Sequence, residues 1–334
     1  VNPLAGQDEH ETLETLFCNI DSSFAEKAVC RYLHTAGPGR HPRSPVGLFR
    51  AFIVMHMKGV RSLREMTRLL DVDVRLRKIC LLKKGEKGYP RSVLSRFARK
   101  VGADKLESII EDKVVALLKR SSASDVDAVL DASFVKAWST RHPKDSQTGF
   151  SDGEARVGRA GRTFGLGYKL PLSIDSENRL PLANVVAPTN ENEKRHTPTL
   201  LEKTRQILSN AGAKLKRVIA DSQYNDEKIR RTVEAVIPYP ANQKRNVKGL
   251  LRVDKKFRIY GPEDLKRKYH KRPTIEAVYS FLKTQYGLIM NKARGLKSVA
   301  TYALYSIMCL VLNREAAENT GRSDKAISPT YFNT

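Results

Sequence analysis

Apolar residues recur at helical spacing through VGLFRAFIVMHMKGVRSLREMTRLL, residues 46–70. Leu48, Phe52, Val54 and Met55 form one group, and Leu63, Met66, Leu69 and Leu70 a second. That spacing collects them on one helix face, and the break near Gly59 predicts two helices. Ser62 followed by Glu65 is a capping box for the second. YPRSVLSRFARKVG, 89–102, predicts a basic helix with Pro90 and Ser92 as its start signal, and 104–120 predicts another amphipathic helix. RSSASD, 120–125, is a polar break. Beyond it the period shortens. DVDAVLDASFVKAW, 125–138, reads as a strand, as do FGLGYKLPLSID and LPLANVVAP around the turn SENR. Residues 139–163 are polar and glycine-rich and predict a long loop. A helix over 198–211 is expected to open at Pro198. LKRVIADSQY is a strand running into a turn. A helix at 225–235, a short strand in AVIPYP and a basic stretch at 241–268 with a strand candidate at KFRIYG follow. Pro273 opens a helix over 273–287, and a last apolar helix covers 296–316.

The order is strand, strand, strand, helix, strand, helix, strand, helix. It predicts an α/β, ribonuclease-H-like (retroviral-integrase-like) core behind an N-terminal all-helical domain, with the first and fourth core strands adjacent and a late helix crossing them. The division expected is an acidic segment at 1–39, a helical DNA-binding domain at 40–122, the core at 123–316 with a small basic insert at about 240–268, and a loose tail at 317–334. In this arrangement three acids converge: Asp131 within a strand, Asp221 at a strand end and Glu276 in the first turn of a helix. Three carboxylates together repel one another, and a hard divalent cation with oxygen ligands resolves the repulsion. Taken singly, each acid has an ordinary reading: a paired buried acid, a turn cap, a helix-start acid favoured by the dipole.

Charge sharpens the picture. The 334 residues carry a formal +24, which calls for a polyanionic partner. Residues 1–30 are net −5, residues 31–120 net +14 and residues 240–300 net +12, so two basic surfaces are expected. In the first, Arg91 and Arg96 lie on the basic helix after a tight turn, a pattern shared by helix-turn-helix readers and by plain helical bundles. The longest strongly apolar run, 302–312, is too short to span a bilayer. The four cysteines, at 18, 30, 80 and 309, form no CxxC pair, which argues against a disulfide framework or zinc site and fits a reducing cytoplasm.

Around Glu276 the chain reads YHKRPTIEAVYSFLK, residues 269–283. Tyr269, Arg272, Glu276 and Lys283 fall within about 60° of arc on an ideal helix; with Pro273 as the helix start, Tyr269 and Arg272 sit on the approach instead. Arg offers a two-pronged fork to phosphate and Lys a point charge. The spacing Tyr-x2-Arg-x3-Glu-x6-Lys resembles that of the DDE transposases of bacterial and archaeal insertion sequences, in the group carrying a Tyr-Arg-Glu-Lys motif. VLDAS is similar to that family's first-aspartate strand and VIADSQYND to its second-aspartate motif. The resemblance covers roughly 40–315. It implies that Asp131, Asp221 and Glu276 bind two Mg2+ or Mn2+ ions, that water cuts the transposon end, and that the freed 3′-hydroxyl attacks target DNA. It implies that Tyr269, Arg272 and Lys283 hold the DNA end, with terminal inverted repeats and target DNA as partners, a homodimer handling two ends, and a cytoplasmic, nucleoid-associated location. Only 54 residues separate Asp221 from Glu276, so any insert is small. The competing readings are a two-metal nuclease on the same fold and an inactive DNA-binding relative; an RNA-binding module is weaker, for want of an aromatic strand motif. Trp138, the one tryptophan, either packs or stacks on a base.

Overall fold

The computed structural model describes residues 12–27, 43–140, 149–161, 163–243, 249–290 and 292–332. The chain divides into two compact units. One comprises residues 1–110, 281–292 and 301–334; the other comprises 111–280 and 293–300.

The first unit is helical. It contains α1 (Leu13–Cys18), α2 (Pro45–Met57), α3 (Leu63–Val72) and α4 (Val74–Ile79). α5 (Arg91–Ser121) begins in it and α10 (Leu296–Asn319) ends in it. Half of the expected capping box forms: Ser62 Oγ accepts from the Glu65 N–H at 3.2 Å, while the Glu65 carboxylate accepts from the Arg61 N–H, one residue before the cap, at 3.0 Å. Phe52 stacks on Tyr305 and Phe97, with ring centroids 4.8 and 6.0 Å apart, joining α2 to α5 and α10. The two helices expected at 89–102 and 104–120 run on as α5, kinked at Gly102, whose φ of 66° only glycine adopts freely. The segment after 317, expected to be loose, packs instead: Tyr331 and Phe332 are buried, and the Arg322 guanidinium covers the Tyr331 ring at 5.5 Å. α10 is long and apolar enough to cross a membrane by composition, beyond the short run expected, but 67% of that stretch is buried inside the fold.

The second unit is built on a mixed sheet of β1 (Asp125–Lys136), β2 (Arg156–Ala160), β3 (Thr163–Asp175), β4 (Pro181–Asn184), β5 (Ala187–Pro188), β6 (Lys214–Ile219) and β7 (Glu234–Val236). Its order is β2-β3-β1-β6-β7, with β4 and β5 also on β3. β1 runs antiparallel to β3 and parallel to β6, the ribonuclease-H-like order expected. α6 (Glu193–Ala211) covers one face. Leu200 and Leu201 pack there with Leu130, Val218, Ala220 and Tyr224. α7 (Glu227–Thr232), the β8 (Arg252–Val253) and β9 (Ile259–Tyr260) hairpin, α8 (Glu263–Tyr269) and the greater part of α9 (Pro273–Thr284), which ends in the first unit, complete the second unit.

Three departures have physical causes. β2 lies inside the expected loop 139–163, of which 141–148 fall outside the described residues. Its RVGRA sequence lacks the β-branched pattern of a strand, and Gly158 is needed because a Cβ there would meet the Thr189 carbonyl at 2.5 Å. α6 starts at Glu193, capped by Asn192 Oδ1 accepting from the Lys194 N–H at 3.0 Å. Pro198 therefore sits inside the helix, where its missing N–H forfeits the bond to the Lys194 carbonyl. α8 buries no residue, so it has no apolar stripe for periodicity to find.

Candidate active site

β1 and β6 pair in parallel through Val129 and Ile219. Asp131 and Asp221 each lie two residues further along. Asp221 lies in the turn just past the end of β6, which brings it near Asp131 on the neighbouring strand although 90 positions separate them in the chain. Asp131 Oδ1 accepts from the Ala132 N–H at 2.9 Å. Asp221 also caps the turn Ser222–Tyr224, its Oδ1 accepting from the Gln223 N–H at 2.8 Å. The turn-cap reading of this acid is thus observed.

α9 approaches from the β1–β3 side. The Tyr279 hydroxyl is shared between the carbonyls of Asp131 and Leu170, 2.7 Å from each. That fixes the first turn of α9, which carries Glu276. α8 ends at Tyr269, and Arg272 lies in the short turn between the two helices. Its Nη2 bonds Asp131 Oδ2 at 3.2 Å, and its Nη1 bonds Glu276. One guanidinium thus joins two acids that are 145 residues apart in the chain. Strand alternation puts Asp127 on the same face of β1 as Asp131. Lys271 pairs with Asp127 at 3.4 Å and with Glu177. Lys268 pairs with Glu234 at 2.9 Å, and Arg217 bonds both Asp127, at 3.2 Å, and Glu234, at 2.8 Å. This network anchors the α8–α9 turn against the sheet.

Burial dominates the electrostatics. It raises the Asp131 carboxyl to about 6. Arg272 and the Ala132 N–H oppose the rise, and the charges of Asp221 and Glu193 add to it. Burial also raises Asp221; the Gln223 N–H and Arg272 oppose it, while Glu193 reinforces it. The Tyr269 phenol is raised by burial as well, with Arg272 opposing and Asp221, Asp131 and Glu276 adding. Tyr269 and Arg272 are therefore each within electrostatic reach of Asp131, Asp221 and Glu276. Lys283 is half-buried in the last turn of α9. Arg91 and Arg96 are exposed in the first turns of α5. Trp138 is half exposed and its carbonyl accepts from Arg294 Nε at 3.1 Å. A cavity of about 600 Å3 opens beside the acids, lined by Asp221, Gln223, Phe257, Lys266, Tyr269 and Arg272 among others.

The donor set suits a hard divalent cation: carboxylate oxygens, two of them on half-buried acids whose negative charge is only partly compensated. Among the described residues no three His, Cys, Asp or Glu side chains stand gathered as a ligand group; Asp131 and Glu276 meet through Arg272 instead. Residue-by-residue reading missed Glu193 and Lys169, which form an ion pair of 3.0 Å near the aspartates. The signal was the helix start in TNENEK, with Asn192 as cap and Glu193 after it.

The family described as "Transposase DDE domain" matches residues 123–312, more than half of the chain. A second, "Transposase domain (DUF772)", matches residues 4–100. No curated protein matches. Among solved structures, the chain is similar to a piggyBac transposase synaptic complex with hairpin DNA (TM-score 0.43, 9% identity, 96% of this chain and 79% of that one). It is also similar to a mariner Mos1 paired end complex with Mg (TM-score 0.27, 11% identity, 92% and 86%) and to a pre-cleavage Mos1 transpososome (TM-score 0.21, 10% identity, 98% and 99%). Those overlaps are too loose to carry weight. The family match spans the whole sheet and all three acids, and on it the chain belongs to the DDE transposases.

Proposed function

We propose that this DDE transposase is of the group with the Tyr-Arg-Glu-Lys motif, and that it cuts transposon ends and joins the freed 3′-hydroxyls to target DNA. Asp131, Asp221 and Glu276 are the residues to hold the divalent cations, Mg2+ or Mn2+. When bound, two such ions supply Lewis-acid activation of water and stabilisation of the leaving oxygen. The observation that carries this reading is the convergence of Asp131 and Glu276 on the single guanidinium of Arg272.

The chain's own residues have separable tasks. The acids are pre-placed by sheet register and by the Tyr279 hydroxyl. Arg272 neutralises them in part, and its fork is the group to take a phosphate oxygen of the DNA end. Tyr269 flanks it in the cavity, and Lys283 adds positive charge two turns along α9 from Glu276. Residues 40–122, with exposed Arg91 and Arg96, are assigned to DNA binding, and 123–316 to the reaction, with the basic insert at about 240–268 between the second and third acids. Terminal inverted repeats and target DNA are the partners, a homodimer brings two ends together, and the cytoplasmic nucleoid is the place of action.

Glu276→Gln tests the assignment. Cleavage of a substrate bearing the element's own ends should fall at least about a hundredfold, in line with loss of an electrostatic transition-state contact, while DNA binding by gel shift stays within a few-fold of wild type. Equal collapse of binding and cleavage would make Glu276 structural. In the wild type, joined products should accompany cut ones; cutting without joining would leave a nuclease.

A further inference from the structure

Within the first unit, residues 81–103 carry seven Lys and Arg (83, 84, 87, 91, 96, 99 and 100) against one acid, Glu86. That acid is already spent. Arg43 pairs with it at 2.6 Å, and its carboxylate also accepts from the Lys83 N–H at 2.9 Å. Arg77 holds the Leu70 carbonyl at 3.0 Å and the Glu86 carbonyl as well. Asp71 accepts from the Gly88 N–H at 2.7 Å, and the Tyr89 hydroxyl donates to the Cys80 carbonyl at 2.6 Å. A Cβ at Gly88 would meet the Thr67 carbonyl at 2.8 Å, so the turn lies hard against α3. Arg43, Arg77 and the nearby acids thus fix the turn between α4 and α5, while Lys83, Lys84 and Lys87 stay exposed on it.

α5 leaves that turn with one apolar and one polar face. Leu94, Phe97 and Val101 are buried. Ser92, Arg96 and Arg99 are exposed on the opposite side, within about 60° of arc at 100° per residue. Gly102 interrupts the helix with φ 66° and ψ 175°, so residues 91–101 form a separate rod of about three turns, roughly 16 Å long. A rod of that size suits the DNA major groove, about 12 Å wide, and in helical DNA readers the first turns are the ones that reach base edges. Arg96 adds an independent observation. Its Nε donates to the Ser92 carbonyl at 3.3 Å. That bond braces the guanidinium along the polar stripe and leaves both terminal nitrogens to a partner. Two N–H donors on a braced fork match the O6 and N7 acceptors that guanine shows in the major groove. A phosphate contact needs no such bracing.

We infer that Arg96 is a specificity-determining residue that reads a guanine in the major groove of the element's end, and that Lys83, Lys84 and Lys87 grip the backbone phosphates beside it. The inference rests on the assignment of this region to DNA binding proposed above.

The experiment is selection of bound sequences by the full chain from a pool of random duplexes, followed by gel-shift affinities over a range of salt, with circular dichroism recorded for every variant. The wild type should select a motif that contains guanine. Arg96→Ala should keep the rest of that motif and lose one guanine position, where discrimination falls by roughly 5- to 150-fold. Arg96→Gln should move the preference at that position from guanine towards adenine, whose N6 and N7 suit an amide. Lys84→Ala should keep the motif, bind every sequence more weakly and lower the slope of log K against log salt by about 1. A motif unchanged in both Arg96 variants, or an affinity loss spread evenly over all sequences, overturns the base contact. A salt slope equal to wild type in Lys84→Ala overturns the phosphate grip. Either result leaves the DNA-binding assignment standing. Absence of salt-dependent duplex binding by the wild type would overturn that assignment, and the role of Arg96 with it.

Discussion

Asp131→Asn should stabilise this protein at neutral pH in the presence of a chelator, although it removes the first acid of the proposed site. Burial raises the Asp131 carboxyl from 3.8 to about 6. At 1.36 kcal/mol per pH unit, ionising it in the fold costs about 3 kcal/mol more than in the unfolded chain. The sign follows from proton counting. Below about pH 4 both states are protonated and the residue contributes nothing. Between about pH 4 and pH 6 the unfolded chain ionises first and binds fewer protons, so stability falls as pH rises; above pH 6 the full penalty applies. Asparagine mimics the protonated acid and escapes the penalty. The Arg272 attraction is already included in the raised value, and Arg272 keeps Glu276 as a partner. Thermal or urea denaturation with chelator at pH 8 should therefore place Asp131→Asn above wild type by up to about 3 kcal/mol, with the gap closing by pH 4. Adding Mg2+ should close most of the gap, because a ligand at a hundred times its Kd stabilises the wild type by about 2.7 kcal/mol and the variant much less. A variant that melts at or below wild type at pH 8, or a gap that persists at pH 4, would refute the claim that Asp131 is an under-compensated buried acid.

Two further perturbations probe each unit separately. His56 is buried, with Nδ1 3.2 Å from both the Tyr286 carbonyl and Ser306 Oγ. Burial holds its imidazole down at about 4 against an ordinary 6.5, so its contribution is intact above pH 6.5 and lost by about pH 4, up to about 3 kcal/mol. His56→Phe should abolish this slope, read as the change in urea midpoint between pH 7 and pH 4; a slope equal to wild type would show that His56 does not titrate with unfolding. Asp152 is buried in the second unit and accepts from the Tyr168 hydroxyl at 2.9 Å and from the Gly295 N–H, at the start of α10, at 3.2 Å. Asp152→Asn puts an amide donor where only acceptors fit and should cost about 1–3 kcal/mol by chemical denaturation. A neutral result would mean the loop at 149–155 relaxes around the change.

Much of the sheet was legible because its strands carry their own pattern. β1 and β3 alternate, or run apolar, over a dozen residues, and their boundaries fall within two residues of those expected. The placement of Asp221 near Asp131 followed from topology, once the first and fourth core strands were taken to be parallel neighbours. What periodicity missed has no buried face to announce it. β2 carries glycine and arginine, α8 has no fully buried residue, and α4 is only six residues long. The Arg272 bridge was out of reach for another reason. Pro273 as the helix start put Arg272 on the approach to α9, but no local signal says that the turn there aims the guanidinium at a residue 141 positions away. Lys169 and Glu193 were hidden in the same way, since nothing local marks a β3 lysine as the partner of an α6 acid.

The arrangement is better understood as charge held under tension than as a set of stabilising contacts. Asp131 and Asp221 are placed where burial penalises their ionised forms, and Arg272 offsets only part of the penalty. A sequence selected for stability alone would neutralise such acids, and replacing imperfectly paired buried charge is often neutral or favourable. The fold instead surrounds them with ties that prevent relaxation: the Tyr279 hydroxyl on the Asp131 carbonyl, the Lys271 and Lys268 pairs that fix the α8–α9 turn, and the Lys194 bond from α6 to the Asn225 carbonyl. Each tie acts on the backbone or on neighbouring acids and leaves the site carboxylates uncompensated. Under the proposed metal-binding role, partly compensated negative charge on a fixed frame is what a cation would need to find in place, and the stability forgone by the unliganded protein would be returned as affinity on binding.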